Sequence, residues 1–461
     1  MLRITQAEAA MLKLRSESVY RSAASWLEGR FRMKVSIYNP GSETLRYRFI
    51  ERSPFQFLVF LGLSEPVVSQ ISYLLPVRQI GALSILQCYR TGIWLVLILL
   101  MLVGRPAKTR TWWETKALYY VGHGCILVWV MNDLLKGIGL SQLATYFKIS
   151  YWLSWCFCIC LYVQNAKQAK RLLKALVWGG ILTCLFVYWG YITGKGLVET
   201  YAEQVDASLG AKGSSGKTVP AYLATVGLLS VYLWRHRRAF LPILLACFLF
   251  GGMMLTYRRS AQVGLVLALI WLCAWRALFA MNSKDASFVG RLVFVAALGF
   301  MLFLLGVGST GLQNRWQHVA TSHRLEYWHT SIEFFFKRAS LIQVLFGVGQ
   351  DQMHKYMSEA GFGWIHTHSD LFDLLFLGGI TTGLLFYAFL WYVVWRLFRK
   401  IDLPATESAF AGSVICVFLT VSLLSGQLGA VNTMFIYIAA IICLPIIAEP
   451  HNYVPFPKLG L

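Results

Sequence analysis

The chain has 461 residues, of which 57% are hydrophobic and only 14% charged, with a formal net charge of +21. A soluble core cannot absorb that much apolar surface, so the composition excludes an ordinary soluble domain and points to a bilayer as the solvent. In a soluble protein the positive charge would suggest nucleic acid; here it sits in short loops between apolar runs, where the positive-inside rule places it, and no nucleic-acid partner is expected.

Residues 1–53 carry charges of both signs, among them Arg3, Glu8, Lys13, Glu17, Arg21, Glu28 and Arg32, and no apolar core precedes Phe55. They do not form a signal peptide. They read as a cytoplasmic N-terminal arm, with a surface helix around Ala23 to Phe31, held by anionic headgroups. From there, about twelve apolar segments of spanning length follow, at roughly 20 residues per crossing. They centre near residues 65, 92, 127, 155, 184, 226, 248, 270, 300, 382, 419 and 440. Glu65-Pro66 and Arg90 interrupt the first two. The expected organisation is an arm over 1–53, a transmembrane bundle over 54–310, a periplasmic loop over 311–368, and a second bundle portion with a cytoplasmic tail over 369–461. The fold class is all-α, a polytopic integral membrane protein.

With the N-terminus inside, every second loop is basic: Arg105, Lys108 and Arg110; Lys167, Lys170 and Arg171; Arg235, Arg237 and Arg238; Arg276 to Arg291; Arg396, Arg399 and Lys400. No other register achieves this, and both termini are expected in the cytoplasm. All ten cysteines fall within or beside predicted spans, including Cys156, Cys158 and Cys160, so no disulfide framework is expected. Positions two apart on a helix face different ways, so these cysteines read as packing residues and not as a metal site.

Two loops on the far side are sizeable, 194–217 and 311–368. The second holds six of the nine histidines, His318, His323, His329, His354, His366 and His368. Leu325, Trp328, Ile332 and Phe335 recur at helical spacing and predict an amphipathic helix over Ser322 to Phe336, lying on the bundle. Phe346-Gly347-Val348-Gly349 then supplies a turn.

Arg258 and Arg259 stand at the far end of one span, where the next helix begins. Paired arginines on a translocated side run against the positive-inside trend; interfacial snorkelling accounts for one more comfortably than for two. A helix N-terminus adds backbone donors and a positive dipole, so the point suits an anion such as a diphosphate. His368 opens another far-side helix, with Ser369 or Asp370 able to cap it. The dipole disfavours imidazolium and leaves a proton acceptor, while Asp370 opposes that effect. For His366 and His368 the alternatives are a polar pair satisfied by loop carbonyls, or a metal site with Asp370 that lacks a convincing fourth ligand. Arg78 and Arg90 read equally as diphosphate ligands or as structural charges.

The ordered set Leu255 to Ala261 with its two arginines, Arg324-Leu325-Glu326-Tyr327-Trp328, Leu345 to Gly349, and His368 to Ile380 followed by Gly383 resembles the O-antigen ligase and O-antigen polymerase superfamily across roughly 250–390. The resemblance implies an integral-membrane glycosyltransferase (GT-C-like) bundle with one long periplasmic loop containing amphipathic helices. It implies an enzyme in the bacterial inner membrane, active on the periplasmic side. The donor would be an undecaprenyl-diphosphate-linked glycan and the acceptor a sugar hydroxyl, on a lipid-linked repeat unit or on lipid A-core. A chain-length regulator protein is a candidate partner. His368 would be the base; Arg259 and Arg324 would bind the diphosphate with Arg258, and no metal or cofactor is expected because arginines neutralise the leaving group. His-Ser-Asp replaces the usual His-Asn of ligases, which favours polymerising surface polysaccharide repeat units over ligation. Two adjacent arginines replace one, which leaves Arg258 and Arg259 to be distinguished. A transporter of the same lipid-linked glycan is the alternative from another class; it would be expected to place charge along a path through the bundle and to show related halves.

Overall fold

A computed structural model describes residues 43–74, 79–80, 83–103, 112–135, 143–193, 215–235, 240–256, 259–278, 290, 293, 324–362, 369–398, 405–426 and 431–448. These residues are almost wholly helical. In chain order the helices are α1 (Glu43–Leu74), α2 (Ile85–Val103), α3 (Trp112–Leu135), α4 (Ala144–Tyr162), α5 (Ala166–Thr193), α6 (Ser215–Trp234), α7 (Phe240–Met254) and α8 (Arg259–Leu278). They continue with α9 (Arg324–Glu333), α10 (Leu341–Phe346), α11 (Gln350–Glu359), α12 (Asp370–Gly378), α13 (Leu384–Phe398), α14 (Ala405–Ser425) and α15 (Val431–Ala448). π-helical turns at Phe334–Arg338 and Gly379–Gly383 follow α9 and α12. The exception to helix is a two-residue antiparallel pairing, Gln79–Ile80 with Leu83–Ser84.

Local signals set several helix starts. Ser84 Oγ accepts from the Gln87 amide while Gln87 Oε1 accepts from the Ser84 amide. This reciprocal box satisfies two donors that the first turn of α2 leaves open. Asn165 caps α5 in the same manner, its Oδ1 accepting from the Gln168 amide.

Five helices are long and apolar enough to cross a membrane among the described residues: Ile85–Leu102, Leu118–Leu135, Ala166–Gly190, Asp370–Tyr392 and Thr406–Ser425. Val219–Trp234, Leu241–Met254, Ser260–Trp275 and Thr433–Ala448 are apolar but shorter. The expected segment near residue 300 lies outside the described residues. The distribution of side chains follows the solvent that these lengths imply. Leu95, Leu99, Leu102, Leu127 and Met131 are exposed, whereas Glu65, Asp133 and Asp370 are buried. Large apolar side chains outward and carboxylates inward suit hydrocarbon and not water. The chain is a multi-pass membrane protein.

The core sits around α4, whose residues from Ile149 to Val163 are all buried. Trp155 stacks on Phe435 of α15 at 4.6 Å. Cys156, Cys158 and Cys160 are free thiols inside this packing, as the reading of them as small apolar residues expects. The two interruptions of the first segments neutralise each other. Arg90 Nη2 lies 2.6 Å from Glu65 Oε1, and Tyr151 OH donates to the other carboxylate oxygen at 3.1 Å. α8 and α14 run in close contact; Gly264 allows it, because a Cβ there would come within 3.3 Å of Val417 Cα.

The amphipathic stretch forms a helix over Arg324–Glu333, but its packed face is offset from the expected one. Leu325 and Ile332 are exposed while Ser331 is buried. Of the expected face, Trp328 and Phe335 do pack, against Phe372 and Phe376, and Tyr327 and Phe334 join them against Phe362 and Phe376. The π turn after Glu333 rotates the phenylalanines onto the bundle, a shift that a regular helical spacing does not encode.

Candidate functional site

Several segments singled out in the sequence converge on α12. Asp370, its first residue, is buried, and Ser422 Oγ donates to Asp370 Oδ2 at 2.5 Å. Ser425 lies three residues further along α14, and its Oγ is 2.7 Å from the Oγ of Ser260, the second residue of α8. Positions i and i+3 share one helix face. The starts of α8 and α12 are therefore held to the same last turn of α14. Gly426 ends that helix with φ +68°, and a Cβ there would stand 3.4 Å from Asp370 Oδ1 and 3.6 Å from Asp373 Oδ2.

The third contributor is α9. Its first residue, Arg324, is half-buried, and Trp328 one turn later packs on Phe372 of α12 with ring centroids 6.2 Å apart. Burial, then the Glu326 carboxylate, raises the Tyr327 phenol above its ordinary pKa, and Arg324 opposes the shift.

The fourth is the glycine turn. Gly347 and Gly349 have φ of +76° and +82°, a region that glycine enters without strain. The amides of Val348 and Gly349 both donate to Phe376 O, at 2.8 and 3.0 Å. A Cβ on Gly349 would fall 1.7 Å from Asp133 Oδ1, so only glycine lets this buried carboxylate of α3 approach the start of α11. Tyr146 OH donates to the other Asp133 oxygen.

Electrostatics separates the two helix starts. The first turn of α8 has no acidic residue, so its free amides and dipole favour an anion. α12 has Asp370 and Asp373 in its first turn, which disfavours an anion there and suits donor groups such as sugar hydroxyls. Ser369 is its N-cap residue in extended conformation, without the side-chain capping bond expected of it.

The predicted residues are distributed as follows. Arg259 opens α8, with its backbone described and its side chain not. Asp370 opens α12, and Arg324 opens α9, whose Trp328 packs on Phe372 of α12. Arg90 is ion-paired with Glu65 on α1. Arg78, Arg258, His366 and His368 lie outside the described residues, His368 immediately before Ser369. Among the described residues no group of three or more His, Cys, Asp or Glu side chains is set to hold a metal ion.

Other polar groups here were not singled out in the sequence. Gln262, in the first turn of α8, is buried, and neither its amide nitrogen nor its oxygen meets a partner among the described residues. The Nε1 atom of Trp328 is likewise buried without a partner among the described residues. Buried polar atoms left unsatisfied are costly, and a bound ligand with hydroxyls or phosphate oxygens would relieve them. A single Gln or Ser in an apolar helix gives no periodic signal; position in the first turn is the clue that was available.

One turn before Ser422, Phe418 lines a cavity with Trp152, Phe389, Met434 and Ile441, walled by apolar side chains. Residues 244–387, which hold α8, α9, the glycine turn and α12, match the model of the family described as O-antigen ligase. No curated protein matches the chain.

Proposed function

We propose, from the match of residues 244–387 to the family described as O-antigen ligase, that the chain is a membrane enzyme of polysaccharide synthesis that transfers a glycan from undecaprenyl diphosphate to a sugar hydroxyl on the periplasmic face of the bacterial inner membrane. The observation that carries this reading is the joining of an acid-free helix start at Arg259 and an acidic one at Asp370 through Ser425 and Ser422. One end receives the leaving diphosphate and the other the attacking sugar. The apolar cavity one turn from Ser422 suits the hydrocarbon of a lipid-linked donor.

In the proposed reaction the acceptor oxygen forms a bond to the anomeric carbon, and the bond from that carbon to the diphosphate oxygen breaks. The acceptor's proton passes to His368, and the electron pair leaves with the diphosphate. Arg258, Arg259 and Arg324 meet the negative charge as it grows, with the amides of α8 in place beforehand. The base contributes on the order of 100- to 10,000-fold. Guanidinium groups replace the metal that many diphosphate-releasing enzymes use, so transfer proceeds in excess chelator.

The product is read as polymerised repeat units, since His-Ser-Asp stands where ligases carry His-Asn. The second reading is ligation to lipid A-core, which the match to the O-antigen ligase family favours. Mass analysis of lipid-linked glycan from cells with and without the protein separates them. Single repeat units accumulating on the carrier mean a lost polymerase; finished polymer stranded on the carrier means a lost ligase; neither change would overturn glycan transfer.

A further inference from the structure

α10 is a six-residue helix that presents large apolar side chains outward: Leu341 is 73% exposed and Ile342 71%, with Phe346 beside them, and Phe336 of the preceding π turn is 85% exposed. Its depth is fixed from two sides. Thr381 Oγ1 donates to Leu345 O at 2.6 Å, and Gly347 packs on the backbone of Phe376 to Gly378. These positions lie inside the span Asp370–Tyr392, roughly 9–16 Å along it at the rise of an α-helix. On α3, Asn132 Nδ2 donates to Phe346 O at 3.3 Å, and Asn132 lies inside the span Leu118–Leu135. α10 is therefore level with the interior of one span and with the end of another, and its outward apolar side chains suit acyl chains. Ile380, on the same π turn that α10 packs against, is half exposed and continues this outward surface.

The backbone of α10 is prepared for that surrounding. Irregular chain is tolerated at membrane depth only where its polar groups are satisfied within the protein. At the start, Ser340 Oγ accepts from the Gln343 amide and Gln343 Oε1 accepts from the Ser340 amide, a complete capping box. At the end, the carbonyls that a helix leaves open are taken by Thr381, Asn132 and the Gly347 amide. Lys337 and Arg338 precede the capped start, Lys337 paired with Glu333 at 3.2 Å and Arg338 over the Tyr356 ring, and both side chains are exposed.

We propose that Phe336 to Phe346 is a re-entrant element whose outward face is covered by phospholipid acyl chains of the adjacent leaflet, with Lys337 and Arg338 at the headgroups. The element seats the glycine turn, and through it the entry to α12, in the leaflet. The inference rests on the membrane bundle and not on the proposed reaction.

The test uses the full chain, purified and reconstituted in vesicles of phosphatidylethanolamine and phosphatidylglycerol, with p-benzoylphenylalanine in place of Ile342 and, separately, of Leu341. Irradiation is expected to add the mass of one phospholipid to the peptide holding the probe. The same probe in place of Ser358, exposed at the end of α11, should add none. Covalent dimers at 341 and 342 would show that a second copy covers the face and overturn the proposal, as would absence of lipid adduct at both positions or an equal yield at 358.

Discussion

Arg259 and His368 carry separate burdens in the proposed reaction, and their substitutions should fail differently. A guanidinium offers a diphosphate two parallel donors where an ammonium offers a point charge. Arg259→Ala should abolish transfer in a correctly inserted protein, Arg259→Lys should restore only part of it, and Arg258→Ala should be milder; full activity in both alanine variants would remove the pair from the mechanism. His368→Ala should lower turnover by roughly 100- to 10,000-fold while donor binding persists, and His366→Ala should cost less. A base acts unprotonated, so activity should fall as pH drops through a histidine-like value near ~6.5. Chelator-sensitive transfer with equal losses in the two histidine variants would favour a metal site instead. Gln262→Leu removes two polar atoms without a partner among the described residues, so heat stability should hold or rise while donor affinity falls; unchanged affinity would make Gln262 structural. For Glu65 and Arg90 the order reverses. Removing one partner of a buried pair typically costs about 3–5 kcal/mol, so Glu65→Ala should destabilise the protein, and Glu65→Gln combined with Arg90→Gln should recover much of the loss, as read by thermal unfolding in detergent.

At the scale of elements, the site depends on α14. Its last turn holds the starts of α8 and α12 through Ser425 and Ser422, while at the other end Glu407 pairs with Arg235 at 2.9 Å. The glycine turn is the second fixed point. Gly349→Ala places a Cβ against Asp133 at a positive φ; the backbone alone should cost about 1–2 kcal/mol, and the contact more. Asp133→Ala in the same chain should relieve the contact part, so that the two losses are not additive. Additive losses in thermal unfolding would show that the turn and the carboxylate act independently. Parts of this site were legible beforehand. Arg259 and Asp370 announce themselves because charge at the start of an apolar helix is rare, and Gly347 and Gly349 because paired glycines mark a turn. Ser422, Ser425, Ser260 and Gln262 do not, since one small polar residue in an apolar run leaves the pattern intact. Asp133 was hidden for a related reason: near the end of a span, a carboxylate resembles the border with water. On α9 and the turn after it, Trp328 and Phe335 pack as their spacing predicts, and Phe334 joins them because a π turn changes the phase of the helix without changing composition.

For the whole molecule, apolar runs are the strongest signal a chain can carry, and helices are described at eleven of the predicted centres, those near 65 and 155 included. α1 and α4 are not among the five clear spans; α4 is wrapped by its neighbours and rich in Tyr, Trp and Ser. Orientation rests on the basic loops and predicts that 311–368 faces outward. A cysteine introduced at Ser322 should react with an impermeant reagent in intact spheroplasts; reaction only after permeabilisation would invert the topology and move the site to the cytoplasm. The central claim is that a glycosidic bond forms as undecaprenyl diphosphate is released. It is tested most directly with the purified full chain in vesicles, supplied with undecaprenyl-diphosphate-linked repeat units, with and without lipid A-core, in excess chelator. The account predicts longer lipid-linked glycan or glycosylated core, with free undecaprenyl diphosphate released in step, and neither product from the His368→Ala protein. Passage of intact glycan-lipid across the bilayer with no new glycosidic bond, or undiminished product from His368→Ala, would contradict it.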